Sequence, residues 1–110
     1  MTVSAEALSS LRPFAREVRV VTDCGREYVL LPGLKVRVNG QVRVLDGLLC
    51  PSEVHGYRTR LFLSQQIDGK GQNWKPYVIL GQTWHAPSWQ NVDESLPLPQ
   101  MLLAHLDAFA

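Results

Sequence analysis

The stretch from Gly81 to Asn91 gathers Thr83, Trp84, His85, Ser88 and Trp89, two of the three tryptophans and one of the three histidines in the chain. Acyl transfer to a hydroxyl is the chemistry such a set can support. A hydroxyl is a weak nucleophile until an adjacent base takes its proton. His85 lies two residues from Thr83 and three from Ser88, within reach of either in a coil. Asn91, Gln82 and Asn73 offer side-chain N–H donors to a developing oxyanion. No carboxylate stands inside the stretch to orient His85, Asp93 and Glu94 being the nearest, so a hydrolase triad is not assembled here. The plainer alternative is a packed coil whose tryptophans cover the end of a sheet, with His85 donating to a backbone carbonyl. Tryptophan burial would in either case pin the segment, and a pinned loop can hold polar groups in place for chemistry.

Other chemistries find less support. Cys24 and Cys50 have neither the CxxC nor the Cys–His spacing of zinc sites, so a metal would need them scattered together with His55, His85 and His105. Both read more simply as small apolar side chains, with pairing left open. The loop at 65–72 carries Asp68, Lys70 and two glycines without the spacing of a phosphate-binding loop, and no cofactor is expected. Asp46, Glu53, Asp68 and Asp93 are too scattered for a pair of glycosidase carboxylates.

The elements that must position the segment come from 110 residues, 45% hydrophobic and 19% charged, with a net charge of +1. That length suits a single domain over 1–110. The near-neutral, well-mixed charge argues against a nucleic-acid binder and against a polybasic membrane patch. No apolar run spans a bilayer and no signal peptide opens the chain, so the expectation is a cytoplasmic protein with no membrane partner.

Ser4 caps a first helix with Glu6 in its first turn, and Pro13 ends it at about Arg12. Alternating valines predict strands at Glu17–Thr22 and Glu27–Leu31 around the Asp23-Cys24-Gly25 turn, with Pro32-Gly33 breaking the chain. Leu34–Val38 and Gln41–Leu45 flank Asn39-Gly40, a hairpin signal. Asp46-Gly47 predicts another turn before Leu48-Leu49-Cys50. Tyr57–Ser64 and Tyr77–Leu80 follow as strands, and 82–95 reads as irregular. A last helix starts near Pro99, with Leu98, Met101, Leu102, Leu106 and Phe109 at helical spacing. The fold class is α+β: an antiparallel meander of five or six strands with an N-terminal and a C-terminal helix. Arg16, Arg19, Arg26, Arg37, Arg43, Arg58 and Arg60 are expected on a solvated sheet face, or else on a surface for an acidic partner.

Gly56-Tyr57 before Leu61-Phe62-Leu63, then Thr83-Trp84-His85, Trp89, Val92-Asp93 and the leucine-rich helix through Leu106, resemble the E2-like (ubiquitin-conjugating-enzyme-like) proteins of bacterial ubiquitin-like conjugation operons. The resemblance covers roughly residues 56–109, and 1–55 agree in layout alone. It implies an E2-like fold and, as partners, an E1-like adenylating enzyme and a ubiquitin-like protein. E2 enzymes carry the modifier on a cysteine, yet none stands near Thr83, and the usual His-Pro-Asn element is absent. The resemblance therefore implies one of two roles. Thr83 carries the modifier as an oxyester, with His85 as base, Asn91 as oxyanion donor and Ser88 as the fallback acceptor; or the domain is a non-catalytic adaptor. An unrelated small α+β metal-binding protein is the remaining alternative.

Overall fold

The computed structural model describes residues 3–89 and 92–110. Helix α1 spans Ala5–Ser9 and helix α2 Leu98–Leu106; between them run β1 (Arg19–Asp23), β2 (Arg26–Val38), β3 (Gln41–Cys50), β4 (Arg60–Leu63), β5 (Lys75–Ile79) and β6 (Gln82–Ala86). The strands form one antiparallel sheet in the order β1-β2-β3-β4-β6-β5, so the α+β class holds, but the expected meander ends at β4, because β6 and not β5 pairs with it. Among the described residues no helix is long and apolar enough to cross a membrane.

Four two-residue turns build the hairpins: Cys24-Gly25, Asn39-Gly40, His55-Gly56 and Leu80-Gly81, each with positive φ at both positions. Their flanking residues are cross-strand partners, which makes them type I′ turns, whose twist matches that of the strands they join. The last two escaped the sequence reading because neither His-Gly nor Leu-Gly is a usual hairpin signal of the Asn-Gly or Asp-Gly kind. The region 82–95 is consequently not irregular throughout. Gln82–Ala86 is a strand, with Trp84 buried on one face and Thr83 exposed on the other.

Two expected breaks are absent. Pro32-Gly33 does not end a strand but lies in a register shift between Leu31 and Leu34 within β2. Asp46-Gly47 does not turn the chain but continues β3 beside that bulge. Asp46 Oδ1 accepts from the Gly33 N–H at 3.1 Å, and the Asp46 N–H donates to Ser64 Oγ at 3.2 Å. Gly47 is required because Leu34 lies across it: a Cβ there would stand 2.6 Å from Leu34 Cδ2. A bulge supplied with donors and acceptors in this way bends a long strand without breaking it.

The first helix is shorter than expected. Ser4 Oγ accepts from the Ala7 N–H at 3.1 Å as the cap predicts, but the α-turns stop at Ser9 and Arg12–Phe14 is a 3-10 turn that takes Pro13 in its first positions. β4 is likewise confined to Arg60–Leu63.

The sheet buries apolar residues on both faces. One face meets the helices through Leu11, Leu31, Leu34, Leu63, Met101, Leu102 and Phe109. The other holds Tyr28, Leu48, Cys50, Phe62, Ile79 and Trp84 together with Val54 from the 51–57 loop. That second core exists because the sheet curls. The Leu80 N–H in the β5–β6 turn donates to Asp23 Oδ2 at the end of β1, 3.3 Å away, although β1 and β5 are opposite edges. The Phe62 ring meets Tyr28 of β2 at 6.3 Å and Tyr77 of β5 at 5.5 Å, edge to face in both contacts.

Candidate functional site

Four consecutive residues leading into β4 grip residues 87, 88 and 92–94. The Tyr57 hydroxyl bonds Ser88 Oγ at 3.2 Å. Arg58 takes Glu94 with two nitrogens, at 2.6 and 3.1 Å, and Asp93 at 3.2 Å. Thr59 Oγ1 donates to the Val92 carbonyl and lies 2.9 Å from His105 Nε2. Arg60 Nη2 donates to the Pro87 carbonyl at 3.3 Å. The segment is also held from outside: the Ser88 N–H donates to Gln72 O at 2.8 Å, and Trp89 Nε1 donates to Ala104 O of α2 at 3.0 Å.

Arg60 is the physical centre of this clasp. It is 2% exposed and forms no ion pair among the described residues. A buried guanidinium without a carboxylate needs other sources of negative potential. It finds them in three aromatic faces, its Cζ standing 4.1 Å from the Tyr57 centroid, 4.8 Å from Tyr77 and 5.6 Å from Phe62. Each such contact contributes on the order of 0.5–2 kcal/mol. Nη1 donates to the Tyr77 hydroxyl at 2.9 Å and stands 3.5 Å from His55 Nδ1. Nε has no partner. Arg60 also lines a cavity of about 10 Å³, the size of one water, with His105, Trp89 and Phe109.

Two histidines respond to this cation. His105 is 3% exposed, and burial, with the Arg60 charge adding to it, lowers its pKa to about 4. The imidazole is therefore neutral near pH 7. Thr59 has a single proton, which goes to the Val92 carbonyl, so His105 Nε2–H is the donor in the Thr59–His105 bond. His55 is also lowered, by burial first and then by Arg60 and Arg26. It is exposed and stacks on Tyr77 with centroids 4.6 Å apart.

The sequence reading missed this group because it put Arg58 and Arg60 together on a solvated face. Arg58 is indeed exposed, but Arg60 is buried. Its strand reads Arg60-Leu61-Phe62-Leu63, an unbroken apolar run after the arginine. A run of that kind signals a strand covered on both faces, which leaves no wet side for Arg60.

The residues expected to do chemistry are separated. Thr83 is exposed on β6, opposite Val78, which is 74% exposed. His85, half-buried, shares that face of β6, opposite Pro76 and Leu63. Alternate strand positions put their Cα atoms about 7 Å apart, and among the described residues no hydrogen bond joins their side chains. Ser88 lies beyond the strand in the clasp, on Tyr57. Asn91, the proposed oxyanion donor, lies outside the described residues, as does Gln90. Gln82 and Asn73 are exposed. Trp84 is buried with its indole N–H on the Ile79 carbonyl at 3.2 Å, so it anchors β6 as the loop reading required of it.

Cys24 is exposed and Cys50 buried, both as free thiols. Burial raises the Cys50 pKa, with its hydrogen bonds to Ser52 acting the other way. Among the described residues no three His, Cys, Asp or Glu side chains are grouped to hold a metal. What the site can do is hold residues 87–89 and 92–94 around a buried cation, with the Ser88 hydroxyl on Tyr57. No family model, no curated protein and no solved structure matches this chain.

Proposed function

We propose that this chain is an E2-like protein of a bacterial ubiquitin-like conjugation system, working in the cytoplasm as a non-catalytic adaptor for the E1-like enzyme or for the modifier. The observation that carries the reading is the clasp. The residues on which the resemblance rests, Gly56-Tyr57, Trp89, Val92-Asp93 and the last helix, converge into one unit through Tyr57–Ser88, Arg58–Asp93, Thr59–Val92 and Trp89–Ala104. A helix before an antiparallel sheet and a helix after it is also part of the layout the reading calls for. The adaptor role follows from what the hydroxyls touch. An activated nucleophile has a base within hydrogen-bond reach, and among the described residues neither Thr83 nor Ser88 bonds an imidazole or a carboxylate.

A carrier role is the second reading, and one contact favours it. Ser88 Oγ rests on Tyr57, whose ring lies under the Arg60 guanidinium, and a fixed cation of that kind can stabilise the oxyanion of acyl transfer. On this reading Ser88 displaces Thr83 as the acceptor.

Incubation with the E1-like enzyme, ATP and modifier separates the two. The adaptor gives a non-covalent complex on gel filtration and no mass increase. A carrier gives an adduct of the modifier's mass that survives thiol reductant, is cleaved by hydroxylamine, and is lost in Ser88→Ala. An adduct lost instead in Thr83→Ala would contradict the ranking of the two hydroxyls. Absence of both complex and adduct with enzyme and modifier would remove the conjugation reading altogether.

A further inference from the structure

Away from the clasp, α1, the β1–β2 turn, the residues after β3 and the entry to α2 enclose a groove of about 640 Å³, within the size range of small-ligand sites. Its floor is apolar, formed by Ala7, Leu98 and Met101, the last two buried. Three charged residues line it, and two of them are already engaged. Glu94 is paired with Arg58. Arg26 has its charged form favoured by Tyr28, and these two share the face of β2 opposite to Glu27.

Glu27 is different. Its Oε1 is shielded from solvent, and among the described residues Glu27 has no hydrogen-bond partner at that oxygen and no ion pair. A carboxylate oxygen withdrawn from water without a donor is costly, and a cation that reaches it recovers that cost. The terminal torsion of a glutamate is broad, so the oxygen can turn toward an incoming donor without leaving its rotamer.

We propose that this groove binds an alkyl-ammonium group, with the ammonium on the Glu27 carboxylate and the alkyl chain along Ala7, Leu98 and Met101. A free diamine and a lysine side chain of another protein present the same chemistry. The site stands independently of the conjugation reading, since it shares only Glu94 with the clasp.

Titration of the ¹⁵N-labelled full chain with cadaverine, with Nα-acetyl-lysine amide and with Nα-acetyl-norleucine amide tests this. The norleucine compound keeps the alkyl chain and lacks the ammonium. The expected result is saturable shifts at Gly25, Glu27 and Met101, at least tenfold tighter for an ammonium compound than for the norleucine analogue. Glu27→Gln weakens that binding at least tenfold. Tighter binding of cadaverine points to a free diamine, and tighter binding of the lysine amide to a protein side chain. Should Glu27→Gln not fold, Ala7→Phe fills the groove with Glu27 intact and abolishes the shifts. Equal response to all three compounds, shifts spread over Asp23, Glu53 and Asp68, or no saturable shift overturns the proposal.

Discussion

The face of β6 that bears Thr83 and His85 and the clasp formed by residues 57–60 carry the same kinds of side chain, a hydroxyl and an imidazole in each. On β6 Thr83 is exposed and His85 half-buried, with no hydrogen bond to one another. In the clasp Thr59 and His105 are buried and bonded, and each polar atom has a defined direction: Thr59 donates to Val92 O and receives from His105. Proximity in sequence drew attention to the first pair. Burial, which forces polar groups to find partners, made the second. The same residue types thus mark a possible reaction where they are exposed and a structural anchor where they are enclosed.

The sharpest way to break this contrast is to remove the cation at the centre of the clasp. Arg60→Ala leaves the Tyr77 hydroxyl and the Pro87 carbonyl without a donor and opens a cavity among three rings. Urea unfolding should show a loss of about 3–5 kcal/mol. Arg60→Met keeps much of the volume and should recover part of that loss, since an apolar replacement of a buried ion is tolerated better than truncation.

Acid attacks the clasp through His105. Its pKa is about 4 in the folded protein against 6.5 for the free side chain. Between those values the unfolded chain binds a proton that the folded chain does not. Stability is therefore full above pH 6.5 and falls as the pH drops through this window. The loss should approach about 3 kcal/mol near pH 4. Urea midpoints between pH 7 and 4 give the slope, and His105→Gln should flatten it.

Smaller effects follow for single bonds. Thr59→Val is nearly isosteric but leaves the Val92 carbonyl and the His105 N–H unpartnered. About 1–3 kcal/mol should be lost, as measured by thermal unfolding. Thr83→Ala, on the open face, should change stability by no more than about 0.5 kcal/mol. A large effect of Thr83→Ala in the same assay would erase the distinction between the regions.

Much of the frame was legible in the sequence. Asn39-Gly40 and the alternation around it announce the β2–β3 hairpin, and the spacing of Leu98, Met101 and Leu102 announces α2. Pro32-Gly33 and Asp46-Gly47 misled because their turn chemistry is local. What keeps β2 and β3 continuous is a cross-strand bond from Gly33 to Asp46 and the packing of Leu34 over Gly47, neither of which a single strand reveals. β6 was hidden by the left-handed Leu80, a residue type that gives no turn signal. The clasp was illegible for a related reason. Tyr57–Ser88 and Thr59–His105 join residues 31 and 46 positions apart, and only the unbroken apolar run after Arg60 hinted that this arginine is enclosed.

The central claim is that 87–89 and 92–94 are held as firmly as the sheet. Ser88 tests it directly, because its N–H donates to Gln72 O at 2.8 Å within the clasped segment. Native-state amide exchange compares its opening free energy with that of Val36 in the middle of β2. The account predicts that the Ser88 amide opens within about 2 kcal/mol of Val36 and that Arg60→Ala abolishes this protection. Exchange of Ser88 in the wild type as fast as that of Gly69 in the open 65–72 loop would contradict it.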